Sequence, residues 1–335
     1  MQNPIDALLA EKGVLLADGA TGTNLFAMGL EAGDAPELLN ETAPDTIAAL
    51  HQGFVDAGAD IILTNSFGGT RHRLKLHHAQ DRVHDLNRKA AEIACAVAGK
   101  ARRRVIVAGS VGPTGELLQP LGALSYQEAV EAFAEQIEGL KEGGAEVAWI
   151  ETMSAPDEIR AAAEAAIRVG LPYTYTGSFD TAGRTMMGLL PKDIHAVADG
   201  LGEAPVAVGA NCGVGASDIL ASLLDMTAEK PGATHIVKGN CGIPEFRGSE
   251  IHYSGTPELM ADYARMAVDS GARIIGGCCG TSFAHLAAMR QALDTHTRAA
   301  RPSTSDIVDR IGPLRNKIAA EVPEGSRRER RRARA

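Results

Sequence analysis

Three cysteines and two carboxylates hold the chemistry legible in this chain. The run "GANCG" places Cys212, and "RIIGGCCGTS" places Cys278 and Cys279. Each ends a stretch of small and β-branched apolar residues of the kind that forms a buried strand. Thiolates converging at strand ends suit a soft, tetrahedral ion such as Zn²⁺, and three protein ligands leave a fourth position for a substrate. Adjacent cysteines on a strand point to opposite faces, so both can reach one ion only where the backbone turns. Gly276, Gly277 and Gly280 are the residues expected to permit that turn. Two other readings stay open: buried cysteine is commonly a small hydrophobe, and a glycine pair after a late barrel strand can offer backbone N–H groups to phosphate.

The carboxylates are Asp18, in "LADGATGTNL", and Glu151, in "VAWIETM". Both end apolar runs, where a carboxylate is costly unless a cation meets it. The pair therefore points to a cationic ligand group. Thr64, Asn65, Ser110, Ser178, Asn211, Asn240 and Cys241 end other runs. The serines read equally well as caps of the following helices. Cys95, in "AAEIACAVAG", reads as helix core, and "RHRLKLHH" at 71–78 as a solvated helix or loop.

Eight strand-like runs must position these residues: 14–19, 61–66, 105–110, 147–152, 173–178, 206–212, 234–241 and 273–279. Amphipathic stretches lie between them. "SYQE" at 125–128 is a capping box, and "TPEL" at 256–259 offers a Thr cap with Pro at the first helical position. The segments "AGADII", "GGAEVA" and "SGARII" share one pattern, a glycine ending a helix just before a buried strand. Strands apolar on both faces and alternating with helices imply a parallel sheet, and eight units imply a (β/α)8 TIM barrel with chemistry at the C-terminal strand ends. On a closed barrel, strand six and strand eight are expected to face each other across the mouth. A doubly wound sheet is the second choice, but no G-x-G-x-x-G follows the first strand. Residues 1–298 form the expected catalytic barrel. Residues 299–326 form a C-terminal extension with one docked helix near 305–318, suited to a contact between copies, and 327–335 a basic disordered tail.

The formal charge is −9, yet "RRERRRARA" alone carries six Arg and one Glu, leaving the body near −14. An acidic body argues against nucleic-acid binding. No apolar run is long enough to span a membrane, the N-terminus has no signal-peptide layout, and five cysteines show no disulfide framework. A reducing, cytoplasmic setting is expected.

"GANCG" and "GGCCGT", behind "LADGATGTNL" and "TNSF", resemble the homocysteine S-methyltransferases, a family with betaine–homocysteine methyltransferases and the homocysteine module of cobalamin-dependent methionine synthase. The similarity runs from about residue 12 to 295. It implies Zn²⁺ held by Cys212, Cys278 and Cys279, L-homocysteine as methyl acceptor, and methionine as product. It also implies that Asp18, Gly19 and Glu151 hold the substrate amino group, with Thr64 nearby. Asn240 resembles the residue that fills the fourth zinc position before substrate arrives in the synthase module. In betaine enzymes a tyrosine after the strand-four glutamate does this; Thr152 stands there here. For the donor, the composition is 4% aromatic, and Gly68-Gly69 replaces a tyrosine of the betaine enzymes. Trp149, Tyr173 and Tyr175 sit in strands, Phe26 and Phe67 in loops. Glycine betaine, giving dimethylglycine, is the expected donor. The alternatives are methylcobalamin on a partner corrinoid protein, S-methylmethionine or a sulfonium compound, and a zinc-free barrel acting on a phosphorylated substrate.

Overall fold

Glycine punctuation shapes the scaffold. Gly58, Gly144 and Gly271 have φ of 102°, 100° and 106°. After each, the next N–H returns to a carbonyl five residues back: Ala59 to Phe54, Ala145 to Leu140, Ala272 to Ala267. These Schellman-type ends stop three helices, Pro44–Asp56, Tyr126–Glu142 and Pro257–Asp269, and turn the chain into the next strand. Helix starts are equally local. Ser125 and Glu128 form the expected capping box, and Thr256 accepts from the Leu259 N–H.

The structure, a computed structural model, describes residues 3–31, 33–242, 244–247 and 250–316. The strands are β1 (Leu15–Leu16), β2 (Ile61–Leu63), β3 (Ile106–Val111), β4 (Val147–Met153), β5 (Tyr173–Gly177), β6 (Ala207–Cys212), β7 (His235–Gly239), a hairpin of β8 (Pro244–Arg247) and β9 (Glu250–Tyr253), and β10 (Ile274–Gly277). Eight of them form one parallel sheet in the order β1-β10-β7-β6-β5-β4-β3-β2. An Ala17–Ile61 bridge joins β1 to β2 and closes the (β/α)8 barrel. All eight expected strands are present, generally shorter at their C-terminal ends, where the chain leaves the ladder to build the mouth. The hairpin was not anticipated, and the β5–β6 connection carries a 3₁₀ helix, Pro191–Ala198, in place of an α-helix.

Alternation fills the barrel interior with Leu15, Ala17, Ile61, Leu63, Ile106, Ala108, Val147, Trp149, Ala207, Ile236 and Ile274. Helix Pro4–Lys12 seals the N-terminal end by adding Ile5, Leu8 and Leu9 to that core. Asp60, 1% exposed, ties this end together: it accepts from the Leu16 N–H (2.9 Å), Lys12 Nζ (2.6 Å) and Arg290 Nη1 (3.2 Å). Tyr173 and Tyr175 point outward into the sheet–helix layer.

The extension does contain a helix, Thr304–Ile311, capped by Ser303 and Asp306. It docks on the chain's own barrel through Ile307 and the Arg310–Asp262 pair. The chain then climbs to the mouth, where Asp218 accepts from the Arg315 and Asn316 N–H groups. The remainder of the proposed extension and the basic tail at 327–335 lie outside the described residues. Among the described residues, no helix is long and apolar enough to cross a membrane.

Candidate functional site

The three cysteines do come together, by a route the sequence reading had wrong. Strands β6 and β10 do not face each other across the mouth; they flank β7 on either side. Cys212 and Gly277 both register with Gly239 of β7, and the Cys278 N–H donates to the Gly239 carbonyl at 2.8 Å. The thiols thus start two ladder spacings apart and lean inward over one glycine. Their sulfur atoms all lie within 4.8 Å of one another, with Cys212 Sγ to Cys279 Sγ at 4.0 Å. A tetrahedral ion with Zn–S bonds of about 2.3 Å would set sulfurs about 3.8 Å apart, so the triad fits such an ion with small side-chain adjustment.

The turn is made differently from expectation. Gly276 and Gly277 keep ordinary strand geometry; only Gly280 (φ 80°) is left-handed in that segment. Gly276 and Gly277 are needed for space instead. A Cβ on Gly276 would sit 3.0 Å from Lys238 Cγ, and one on Gly277 2.2 Å from Thr281 Cγ2. On the other side Cys212 itself is left-handed, at φ 62°, as is Thr152, also at 62°. Such a conformation is strained for a β-branched residue and persists only when neighbours hold it.

Asn211 supplies that hold. Its Oδ1 accepts from the Thr152 N–H (2.8 Å) and Thr176 Oγ1 (2.6 Å), and its Nδ2 donates to Thr152 Oγ1 (2.7 Å). The same Nδ2 lies 3.8 Å from Cys278 Sγ. One buried amide therefore fixes the ends of β4, β5 and β6 and touches the triad. Asn240 is 3% exposed; its Nδ2 donates to the Gly213 carbonyl (2.8 Å), while its Oδ1 has no hydrogen-bond partner. A buried, unpartnered oxygen one residue after Gly239, with which Cys212 and Gly277 register, is the kind of donor a fourth ligand position requires.

Three crowded thiols cannot all ionise without a cation. Hydrogen bonds from Cys212 and Cys278 hold Cys279 as the thiolate, far below the usual thiol range. Hydrogen bonds with Cys278 and Cys279, and their charge, push Cys212 up. The Tyr253 hydroxyl, at the end of the hairpin, also hydrogen-bonds Cys279, and burial together with that thiolate raises its own pKa. Its ring packs on Gly280, where a Cβ would lie 2.3 Å from Tyr253 Cγ.

The carboxylates sit deeper. Asp18 is 1% exposed, its Oδ2 accepting from the Leu63 N–H (2.7 Å) and its Oδ1 from Lys238 Nζ (2.7 Å). Its cation in the structure is thus a lysine of the chain itself. Glu151 accepts from Ser110 Oγ at 2.5 Å. Burial raises its pKa to about 7, against the opposing pull of Lys238. Burial also raises Asp18, with Lys238 and the Leu63 N–H opposing. Burial alone would lower Lys238, but the Asp18 and Glu151 charges outweigh it and the net shift is upward.

Gly19 lies at the floor of this region, where a Cβ would meet the Thr281 carbonyl at 2.6 Å and the Phe54 ring at 2.7 Å. Thr64 is buried; its Oγ1 accepts from the Ser110 N–H (3.0 Å) and shares a hydrogen with Ser66 Oγ (2.6 Å). Cys241 is fully buried, and Cys95 is partly exposed, donating to the Gly144 carbonyl. Neither joins the triad. Sequence reasoning missed Lys238, Asn211 as a brace, and Tyr253. The available signal was a lysine in the apolar run "THIVKGNC", two residues after inward Ile236.

The homocysteine S-methyltransferase family model matches residues 15–293. The methionine synthases of Mycobacterium tuberculosis and Mycobacterium leprae are 30% and 28% identical over 89% and 82% of the chain. The chain spans about a quarter of the length of these curated relatives, 26% and 24%. The metallated form of the homocysteine methyltransferase MmuM from Escherichia coli superposes with a TM-score of 0.70 at 27% identity, covering 86% of this chain and 99% of that one.

Proposed function

The chain belongs to the homocysteine S-methyltransferase family, and from that premise we propose that it transfers a methyl group from glycine betaine to L-homocysteine at a zinc centre. The observation that carries this reading is the triad of Cys212, Cys278 and Cys279, three converging sulfurs at the mouth of the barrel. These residues would hold the ion, with Asn240 Oδ1 as the fourth ligand before substrate enters. When bound, Zn²⁺ supplies charge that keeps a substrate thiol deprotonated near neutral pH, where a free thiol with pKa near 8.5 is largely protonated.

The chain's own residues do the rest. The carboxylates Asp18 and Glu151, with Lys238 paired to the first, leave net negative charge for the α-ammonium of the amino acid, with Gly19 and Thr64 in the wall behind. Anchored there, the substrate directs its sulfur toward the cysteines. The sulfur lone pair forms the new S–CH₃ bond as the C–N bond of betaine breaks, and that electron pair stays on the nitrogen of dimethylglycine. Methionine, a neutral thioether, is a weaker ligand than the thiolate it replaces, which favours release.

A quaternary ammonium is best met by aromatic faces. Trp149, Tyr173 and Tyr175 are at most 1% exposed and are spent on packing. Phe26, expected on a loop, lies instead in the helix Thr21–Ala27 that follows β1, and Phe67 lies in a turn after β2; at 52% and 38% exposed, both remain available. The test is anaerobic turnover of zinc-loaded protein with homocysteine against betaine, S-methylmethionine, a dimethylsulfonio compound and methylcobalamin. Methionine formed with betaine, together with equimolar dimethylglycine, supports the proposal. Methionine only from another donor overturns the betaine assignment, and metal-free active protein overturns the zinc centre.

A further inference from the structure

Lys238 is the one charged side chain that alternation sends into the barrel from β7, in line with Ile236 below it. It is buried, its stem lies over Gly276, and its ammonium stands 5.8 Å above the Trp149 ring. Any side chain on Gly276 would crowd that stem, so the adjacent strand β10 is shaped to admit a lysine. Its nitrogen bonds Asp18 Oδ1, while the other Asp18 oxygen is taken by the Leu63 N–H. Asp18 therefore enters the site with a hydrogen bond on each oxygen and 1% exposure. Glu151 differs: Ser110 takes Oε1, Oε2 accepts no hydrogen bond among the described residues, and the residue is 8% exposed.

We propose that Lys238 is a positioning residue that claims Asp18, so that Glu151 alone touches the substrate α-ammonium and the Asp18–Lys238–Glu151 cluster presents one net negative charge to one incoming cation. Two unpaired carboxylates would repel each other at the base of a thiolate site; the lysine cancels one, and Ser110 holds the other. This division of labour rests on the homocysteine reading and refines it.

Calorimetric titration of the zinc-loaded full chain with L-homocysteine and with 4-mercaptobutanoate tests it. The second probe has the same thiol and carboxylate without the amine, so the ratio of the two dissociation constants reports ammonium recognition alone. A charge-assisted hydrogen bond predicts a ratio of about 30 in the wild type. Glu151→Gln should bring the ratio to within about threefold of unity, whereas the double variant Asp18→Asn/Lys238→Met should keep it within about threefold of the wild-type value. Lys238→Met alone strands a buried carboxylate and should melt at a lower temperature than the double variant. The inference is overturned if the double variant loses the preference as fully as Glu151→Gln, or if it melts below the single variant. A wild type binding both thiols equally also overturns it while leaving the homocysteine reading standing. A wild type binding neither defeats that reading first.

Discussion

Asn211→Ala should separate bracing of the metal centre from general stability. The substitution removes three hydrogen bonds, of 2.8, 2.6 and 2.7 Å, from a side chain 1% exposed. At a net 1 kcal/mol each, the loss is about 3 kcal/mol. Thr152 would then be free to leave its left-handed conformation, returning about 1 kcal/mol. A net destabilisation of about 2 kcal/mol lowers the melting temperature of a barrel this size by about 3 °C. The larger consequence is at the thiols: Cys212 follows Asn211 directly, and Cys278 Sγ lies 3.8 Å from its amide nitrogen. Loss of such an outer brace typically weakens metal binding by about 10- to 100-fold. Zinc competition against a chromophoric chelator measures this, with urea melts in parallel. Thr176→Val is the control, since it removes one bond to Asn211 without touching Thr152 or the cysteines. It should cost about 1 kcal/mol and leave zinc affinity within about threefold. The bracing argument fails if Asn211→Ala loses stability yet binds zinc as tightly as the wild type, or if both variants lose affinity equally.

Other consequences can be measured directly. The Glu151 carboxyl, pushed up to about 7 by burial, gains its charge as pH rises through that value. Preference for homocysteine over 4-mercaptobutanoate should therefore fall about tenfold per unit well below pH 7, and the limb should vanish in Glu151→Gln; a flat profile from pH 5.5 to 8 contradicts the assignment. Asp60→Asn removes the carboxylate that Lys12 and Arg290 share at the sealed end of the barrel. Because those cations are partly exposed, the cost is about 3 kcal/mol by urea unfolding, with little change in zinc affinity. Cys212→Ala leaves two sulfurs and should drop zinc content of dialysed protein from stoichiometric to near zero by elemental analysis. Gly280→Ala forces a left-handed alanine whose Cβ meets the Tyr253 ring at 2.3 Å; zinc affinity should fall by about tenfold or more, whereas unaltered affinity would show that the loop yields freely.

Much of this architecture is written locally. Short continuous apolar runs, helix-ending glycines and capping boxes are short-range signals, so eight strands and their order along the chain were legible, as were the strand-end cysteines and carboxylates. Three things were not, because each depends on which residues meet across the barrel. Strand adjacency placed Cys212 and Cys278 on either side of Gly239, when spacing along the chain suggested opposite rims. The alternation of β7 turned Lys238 inward onto Asp18, a contact spanning 220 positions, so the cation expected from substrate is partly built in. The turn expected at Gly276 and Gly277 is not made there; the left-handed backbone lies at Cys212 and Thr152, the latter held by the Asn211 amide. Residue types and their periodicity determined the barrel and its reactive groups. Packing decided which charges pair, because the energy of a buried charge depends on its neighbours in space.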